Sequence, residues 1–490
     1  MSSHRMSEYL ADSEDAGGSE PASPMAQYMN NSVLSISVLA VLEFEVPLDD
    51  LESQVFPLLR DIFLPISPRF SSIMITGSNG IWKWKRVHVT LEDHFHIVEM
   101  SPSSSPSENS EFLRDYLTRL ALAPFPKNRP LWEIHAIRYP TTEATATLIF
   151  KLHHSLGDGY SLMGALLSCL QRADDPSLPL TFPYVDKPKS SSGTKSKLKS
   201  LGAVPKMFSL MLNTMRDFSV SLLKSTCLED DLSPIHSGDD GVEFRPFVSA
   251  TTDFSMEAIK QVKSRLHVTI NDIICGMVFL GIRLYMQKQY CSEPTGDCAR
   301  TTALVLLNTR SLRAYKTVQE MAQPACKSPW GNRFSFLHVS VPKLTDSTAV
   351  NPLKFVYLAH KLIKRKRSSL AVYLTGHLLH LVRKLRGPEA AARYMHNSIK
   401  NTSISITNLM GPNEQMALCQ HPIKGLYSMT VGVPQSLAVS IVTYNGRARI
   451  GIAAEKGFID SQKLALCIDD AFMMISQATL ISPAISSDNN

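Results

Sequence analysis

Lys151-Leu152-His153-His154-Ser155-Leu156-Gly157-Asp158-Gly159 is the stretch on which the reading of this chain turns. The apolar run over 147–152 predicts a strand that leads into it, and Leu162, Leu166, Leu167 and Leu170 repeat at helical spacing after it. Two histidines therefore stand on a turn between a strand and a helix, where Gly157 and Gly159 bracket Asp158 and allow a tight bend. An imidazole is close to neutral at cell pH, so it can take a proton from a hydroxyl and return one to a leaving group. Neighbouring residues of a strand point to opposite faces, so His153 and His154 address different surroundings. Plainer readings stand beside this one: a structural histidine at a strand end, a metal site, or a Gly-Asp-Gly turn with no further role. No other His/Glu pair is spaced to complete a metal site, and none is expected.

Upstream, residues 33–46 are rich in Val, Ile and Leu and predict a long strand, after which Pro47-Leu48-Asp49-Asp50 opens a helix. Residues 1–24 are Ser-, Glu-, Asp- and Pro-rich and predict disorder, so the first lobe is expected over 25–185. Composition then shifts to Pro, Ser, Lys and Asp, and 186–245 reads as a crossover linker. The second lobe is expected over 246–480, with 481–490 as a tail. It holds a helix from about Ser255 and another from Thr269, where Thr269-Ile270-Asn271-Asp272 has the form of a capping box. Strands are predicted at 302–307, 334–341 and 402–407, and Asn445-Gly446 between apolar runs predicts a type I′ hairpin. Strands mixed with helices in both halves make this an α/β protein with two sheet-based lobes.

The 490 residues exceed what one compact core holds. The chain is 44% hydrophobic and 19% charged, and its net charge of +6 is spread over many segments, so no nucleic-acid partner is indicated. Its 8 cysteines lack any CxxC pair, which predicts free thiols in a reducing compartment. The polar, acidic N-terminus has no charged-then-apolar pattern, and secretion is not expected. Residues 198–228 come nearest to a membrane segment, but Lys206, Arg216, Asp217 and Lys224 interrupt them. They read as an amphipathic helix lying on a membrane or packed against the protein itself. Lys361-Leu362-Ile363-Lys364-Arg365-Lys366-Arg367 is the densest basic run, suited to anionic phosphates or lipid headgroups, or simply to a solvated face.

The segment His153-His154-Ser155-Leu156-Gly157-Asp158-Gly159 resembles the His-His-x-x-x-Asp-Gly signature of the wax ester synthase/diacylglycerol acyltransferase family. Pro130-Leu131-Trp132-Glu133 is similar to that family's PLW element, and Asn271-Asp272 to its ND element. Ser405-Ile406-Thr407-Asn408-Leu409-Met410-Gly411-Pro412 resembles its late S-N-x-x-G-P element, in a variant that looks like the plant members. The likeness spans most of the folded part. It implies two chloramphenicol-acetyltransferase-like lobes, each a mixed sheet flanked by helices, with an active-site tunnel between them.

By this resemblance His154 is the general base that activates a long-chain alcohol or diacylglycerol hydroxyl toward an acyl-CoA thioester. His153 supports it, Gly159 belongs to the turn, and Asp158 forms a structural ion pair for which Arg310 is the candidate partner. Asn271 is the candidate donor to the oxyanion, and Asn271, Asp272, Asn408, Gly411 and Trp132 are the expected substrate-binding residues. As helix caps, Asn271 and Asp272 have a simpler explanation. No cofactor is implied, since acyl-CoA enters as a co-substrate. The expected location is the cytosolic face of the endoplasmic reticulum membrane, with the plasma membrane as the other candidate.

Two other functions compete. An enzyme of the same superfamily acting on a soluble alcohol or amine would carry a late Asp-Phe-Gly-Trp-Gly element, which is absent here. A non-catalytic lipid-binding protein would be expected to have lost His154, which is present.

Overall fold

Strand β1 (Ser37–Phe44) forms inside the apolar run at 33–46, and every residue of it except Val38 is buried. Burial on both faces is why the run shows only partial alternation. The computed structural model to which it belongs describes residues 20–77, 82–99, 104–181, 203–289, 299–310, 330–344 and 351–481. β2 (Phe95–Val98), β3 (Trp132–Ile137) and β4 (Ala146–His153) join β1 in a seven-stranded sheet of order β2-β3-β4-β1, continued by His421–Val431, Met416–Leu418 and Gln171–Arg172. β4 lies antiparallel to both β1 and β3, with Ser37 opposite His153. All eight residues of β4 are buried, so the strand that carries the histidines is held on both edges and both faces. Helix α1 (Gly159–Ser168) follows the turn as expected, although Leu170 lies beyond its end.

The chain divides into two units whose boundaries differ from a single cut in a linker. Unit 1 is Met1–Leu180 with Lys316–Asn332 and Gln415–Leu426, and unit 2 is Thr181–Tyr315, Arg333–Glu414 and Tyr427–Asn490. Two later stretches return to unit 1, which sequence order alone does not announce. Of the N-terminal segment expected to be disordered, residues 1–19 lie outside the described residues. Glu20–Pro21 instead pairs with strand Trp82–Arg86, and Ser23 caps a helix over Pro24–Met29. Ala26, Tyr28 and Met29 are buried there, and that apolar burial outweighs the polar composition upstream. Residues 182–202 of the expected linker and 482–490 of the expected tail are also outside the described residues. The rest of the linker contains helix α2 (Ala203–Lys224).

Unit 2 is built on a six-stranded sheet. Its strands are β5 (Phe247–Ser255), β6 (Thr302–Asn308), β7 (Phe334–Ser340), β8 (Ile404–Met410), β9 (Leu437–Tyr444) and β10 (Arg447–Glu455), in spatial order β7-β6-β8-β9-β10-β5. β8 is parallel to β6 and β9, and the other pairings are antiparallel. The β9–β10 hairpin turns through Asn445 at φ 46° and Gly446 at φ 72°, the type I′ geometry that Asn-Gly predicts. Helices α3 (Ile270–Gln289), α4 (Leu353–Ser368) and α6 (Ser461–Ile481) supply much of the core, while α5 (Ala371–Lys400) is bent at Gly387-Pro388.

α3 and α6 are both long and apolar enough to cross a membrane, yet most of α3 is buried inside unit 2. Its glycines explain how it packs. A Cβ on Gly276 would stand 2.8 Å from Val356 Cα, and one on Gly281 would stand 2.8 Å from Ile468 Cα. The backbones of α4 and α6 thus approach α3 through gaps that any side chain would close. Gly376 on α5 has no atom within 4 Å of that position. Gly281→Ala is therefore expected to destabilise the fold by about 1–3 kcal/mol. Gly376→Ala should be neutral or up to about 1 kcal/mol stabilising. Urea unfolding of the two variants beside the parent chain checks the contrast.

Candidate active site

His153 ends β4 and His154 begins the turn, and their side chains have separate surroundings. The His153 ring is 2% exposed. Its Nδ1 accepts from the Ser155 backbone N–H at 3.2 Å and lies 2.8 Å from Ser155 Oγ, so the ring proton sits on Nε2. That nitrogen donates to Ser35 Oγ at 3.1 Å. Both nitrogens are engaged, and burial pushes the ring's pKa down to about 3, helped by the charge of His154 when that ring is protonated and by the charge of Lys151. His153 is a clamp that ties the strand end to the turn.

His154 is 6% exposed, and its principal partner comes from a segment 178 residues later. The Asn332 amide donates from Nδ2 to the His154 carbonyl at 2.8 Å, and Asn332 Oδ1 lies 2.9 Å from His154 Nδ1. A carbonyl oxygen only accepts, so the amide nitrogen must face it, and Oδ1 must face the ring. Nδ1 therefore carries the ring proton and donates it to Asn332, which leaves Nε2 as the nitrogen with the lone pair. Burial lowers the pKa of His154 most, opposed by the charge of Asp158, by its own backbone and by Asn332. The ring is neutral at cell pH and is thereby set up to accept a proton.

The loop that supplies Asn332 is fastened to the turn and to α1 through two more residues, Trp330 and Gly331. Trp330 Nε1 donates to the Leu156 carbonyl at 2.9 Å, and Arg69 Nη1 donates to the same oxygen at 3.3 Å. Gly331 N–H donates to Ser161 Oγ at 3.2 Å on the first turn of α1. Gly331 has φ 117°, a conformation that favours glycine, and a Cβ there would lie 3.1 Å from Arg69 Nη1. Sequence reasoning passed over Trp330-Gly331-Asn332, whose only local signal is a Trp-Gly pair just before a strand.

Asp158 is the N-cap of α1, where its Oδ1 accepts from Ser161 N–H at 3.1 Å, and Gly159 is the first residue of that helix. The close approach in the turn belongs to Gly157, where a Cβ would meet Ser161 Cβ at 2.9 Å. Arg310 follows β6, and its guanidinium Nη1 donates to Asn308 Oδ1 at 3.3 Å. Trp132, expected among the substrate-binding residues, is fully buried in unit 1. Its Nε1 donates to the Phe70 carbonyl at 2.9 Å, and its ring stacks on His94 at 4.1 Å, so the geometry gives it a core position.

Within unit 2 the structure brings Asn271 and Asn408 together, Asn408 Nδ2 donating to Asn271 Oδ1 at 3.3 Å. This fixes the Asn271 carboxamide and turns its NH2 group away from Asn408. Asp272 Oδ2 accepts from Thr269 N–H at 2.8 Å and Thr269 Oγ1 at 2.7 Å, the expected capping box, and it also meets His360 Nδ1 at 2.8 Å. With those partners and 3% exposure Asp272 holds the start of α3. Gly411 lets β8 leave its neighbour closely, since a Cβ would lie 2.5 Å from the Thr443 carbonyl oxygen. In the basic run, Lys366 and Arg365 are spent on Asp217, at 2.7 and 3.1 Å, while Lys361, Lys364 and Arg367 are exposed.

Comparison with known proteins places this geometry. Residues 37–274 match the wax ester synthase/diacylglycerol acyltransferase catalytic domain, and residues 330–476 match the WS/DGAT C-terminal domain. Wax ester synthase/diacylglycerol acyltransferase 4 of Arabidopsis thaliana is 28% identical over 468 residues, which cover 92% of this chain and 88% of that protein. The wax ester synthase/diacylglycerol acyltransferase from Marinobacter aquaeolei VT8 aligns over 94% of this chain and 100% of its own, with TM-score 0.58 and 15% identity. A starter condensation domain of rhizomide synthetase in complex with C8-CoA aligns over 98% of this chain and 99% of its own, with TM-score 0.52 and 10% identity. At these identities the solved structures speak for the fold alone, and they show the two-lobed α/β class expected from the sequence.

The clamp at His153 has a consequence for stability. A histidine held neutral down to about pH 3 binds fewer protons in the fold than in the unfolded chain below its ordinary value of 6.5. Its contribution is present above pH 6.5 and is lost as pH falls, by about 1.4 kcal/mol per pH unit. Urea-unfolding free energies between about pH 6 and 4 should fall more steeply for the parent chain than for His153→Gln, by up to that slope.

Proposed function

We infer that this chain, which belongs to the wax ester synthase/diacylglycerol acyltransferase family, transfers the acyl group of a fatty acyl-CoA to the hydroxyl of a long-chain alcohol and of diacylglycerol. The observation that carries the reading is the two-point grip of Asn332 on a buried, neutral His154. As the acceptor oxygen attacks the thioester carbonyl, His154 Nε2 takes its proton. The Nδ1–H bond to Asn332 keeps the ring in the tautomer that makes this possible. The imidazolium so formed is favoured by the negative charge of Asp158, the largest of the influences that raise its pKa. The oxyanion of the tetrahedral intermediate receives an N–H from Asn271, whose carboxamide Asn408 orients. Collapse breaks the C–S bond, and His154 returns the proton to the departing CoA sulfur. Both substrates are activated in place, and no covalent enzyme intermediate is required.

A water-insoluble acceptor supports a location at a membrane surface, and the cytosolic face of the endoplasmic reticulum is the site we assign. Purified protein given palmitoyl-CoA and hexadecanol is expected to form ester and free CoA. His154→Ala should lower the rate about 10²–10⁴-fold. Ester formation unchanged by that substitution overturns the assignment. Asn271→Ala should cost about 10²–10³ in kcat. The Asn332 contact raises the His154 pKa, so Asn332→Leu should shift the acid limb of kcat/KM to lower pH and reduce kcat about tenfold to a hundredfold. Asn332→Asp, whose charge favours the imidazolium, should shift that limb to higher pH. A panel containing hexadecanol, diacylglycerol and a soluble phenolic alcohol fixes acceptor preference.

A further inference from the structure

Helix α2 packs with its polar side inward. Thr214, Asp217, Ser221 and Lys224 are buried, and each recurs three or four residues after the last, the spacing of one helix face. Asp217 Oδ1 accepts from Lys366 Nζ at 2.7 Å, Lys224 Nζ donates to Asp230 and to the Asn401 carbonyl, and Thr214 Oγ1 accepts from the Leu370 N–H. The opposite side is apolar and faces outward, with Met207 75%, Phe208 60%, Met211 56% and Met215 58% exposed, and with Leu212, Leu222 and Leu223 exposed beside them. α5, which packs along α2 in unit 2, continues the pattern. From Val372 to Ala390 it buries no side chain, and it leaves Tyr373, Leu374, Leu381 and Leu385 exposed.

A water-facing helix keeps its large apolar side chains in, and this pair turns them out. Contiguous apolar surface of this kind marks a docking face. The charge on the same helices identifies the occupant. Residues 203–224 and 353–388 hold 12 Lys and Arg against a single acidic residue, Asp217, which is buried among its ion pairs. Arg216, Lys361, Lys364, Arg367, Lys384 and Arg386 are all exposed. An apolar phase edged by negative charge is what a bilayer with anionic headgroups presents, and basic side chains near such a surface each strengthen binding.

We propose that the outward faces of α2 and of the first half of α5 form a docking surface for an anionic lipid bilayer. The surface deepens the reading of a lipid acceptor, and only its purpose rests on that reading. Pelleting of the full chain with phosphatidylcholine vesicles, with and without phosphatidylserine, tests it. Binding is expected to the phosphatidylserine vesicles and to weaken with salt. Combined Met207→Ser, Phe208→Ser, Met211→Ser and Met215→Ser should lower vesicle binding about tenfold or more, and so should combined Tyr373→Ser, Leu381→Ser and Leu385→Ser. These side chains are exposed, so melting temperature and helical content should not change. Esterification of hexanol in lipid-free solution should also be unchanged, so failure of the chemistry appears in that assay and failure of docking in the pelleting. Three results overturn the proposal. The parent chain stays in solution with both vesicle types, or the four-serine variant pellets like the parent. Alternatively, the parent self-associates without lipid while that variant is monomeric, in which case a second copy covers the face.

Discussion

One carboxamide holds the His154 turn in place. Asn332 engages both the carbonyl and the ring of His154, and each contact dictates the other: the oxygen selects which end of the amide it meets, and the amide then selects which ring nitrogen bears the proton. The neighbouring histidine is held with its proton on the opposite nitrogen by Ser35 and Ser155. Two adjacent imidazoles thus take opposite tautomers, and the difference comes from their hydrogen-bond partners. Around them β4 is buried along its whole length, α1 is capped by Asp158, and the Trp330 indole ties the turn down. The orientation and tautomer of both rings are fixed by the fold itself.

What was legible in the sequence was what short-range chemistry dictates. The strand, turn and helix around the histidines, the Asn445-Gly446 hairpin and the Thr269–Asp272 box each follow from residues a few positions apart. Asn332 had no such signal, because its role comes from a contact 178 residues away and from a Gly331 conformation that no local pattern announces. Of the segment expected to be disordered, Glu20 and Pro21 find their partner only in the distant strand Trp82–Arg86. Trp132, in the Pro-Leu-Trp element, is buried, its indole N–H donating to the Phe70 carbonyl, a contact 62 residues away that no local pattern announces.

α2 teaches a different lesson. Periodicity tells which residues share a face of a helix, and the sequence displayed an apolar face here without ambiguity. It does not tell which face is turned inward. The answer depends on Lys366 and Arg365, which reach Asp217 from another helix and hold the polar face against the protein. A run of basic residues that reads as a solvated surface is in part internal, and its exposed members stand on the same group of helices as the outward methionines.

The long separation between His154 and Asn332 also orders events in time. A chain made from its N-terminus exposes the histidine turn from the ribosome well before the Trp330-Gly331-Asn332 loop exists. Until that loop is made, the imidazole lacks the Asn332 contact at its Nδ1. The Asn332 contact that orients the ring is therefore available only once residue 332 has been made.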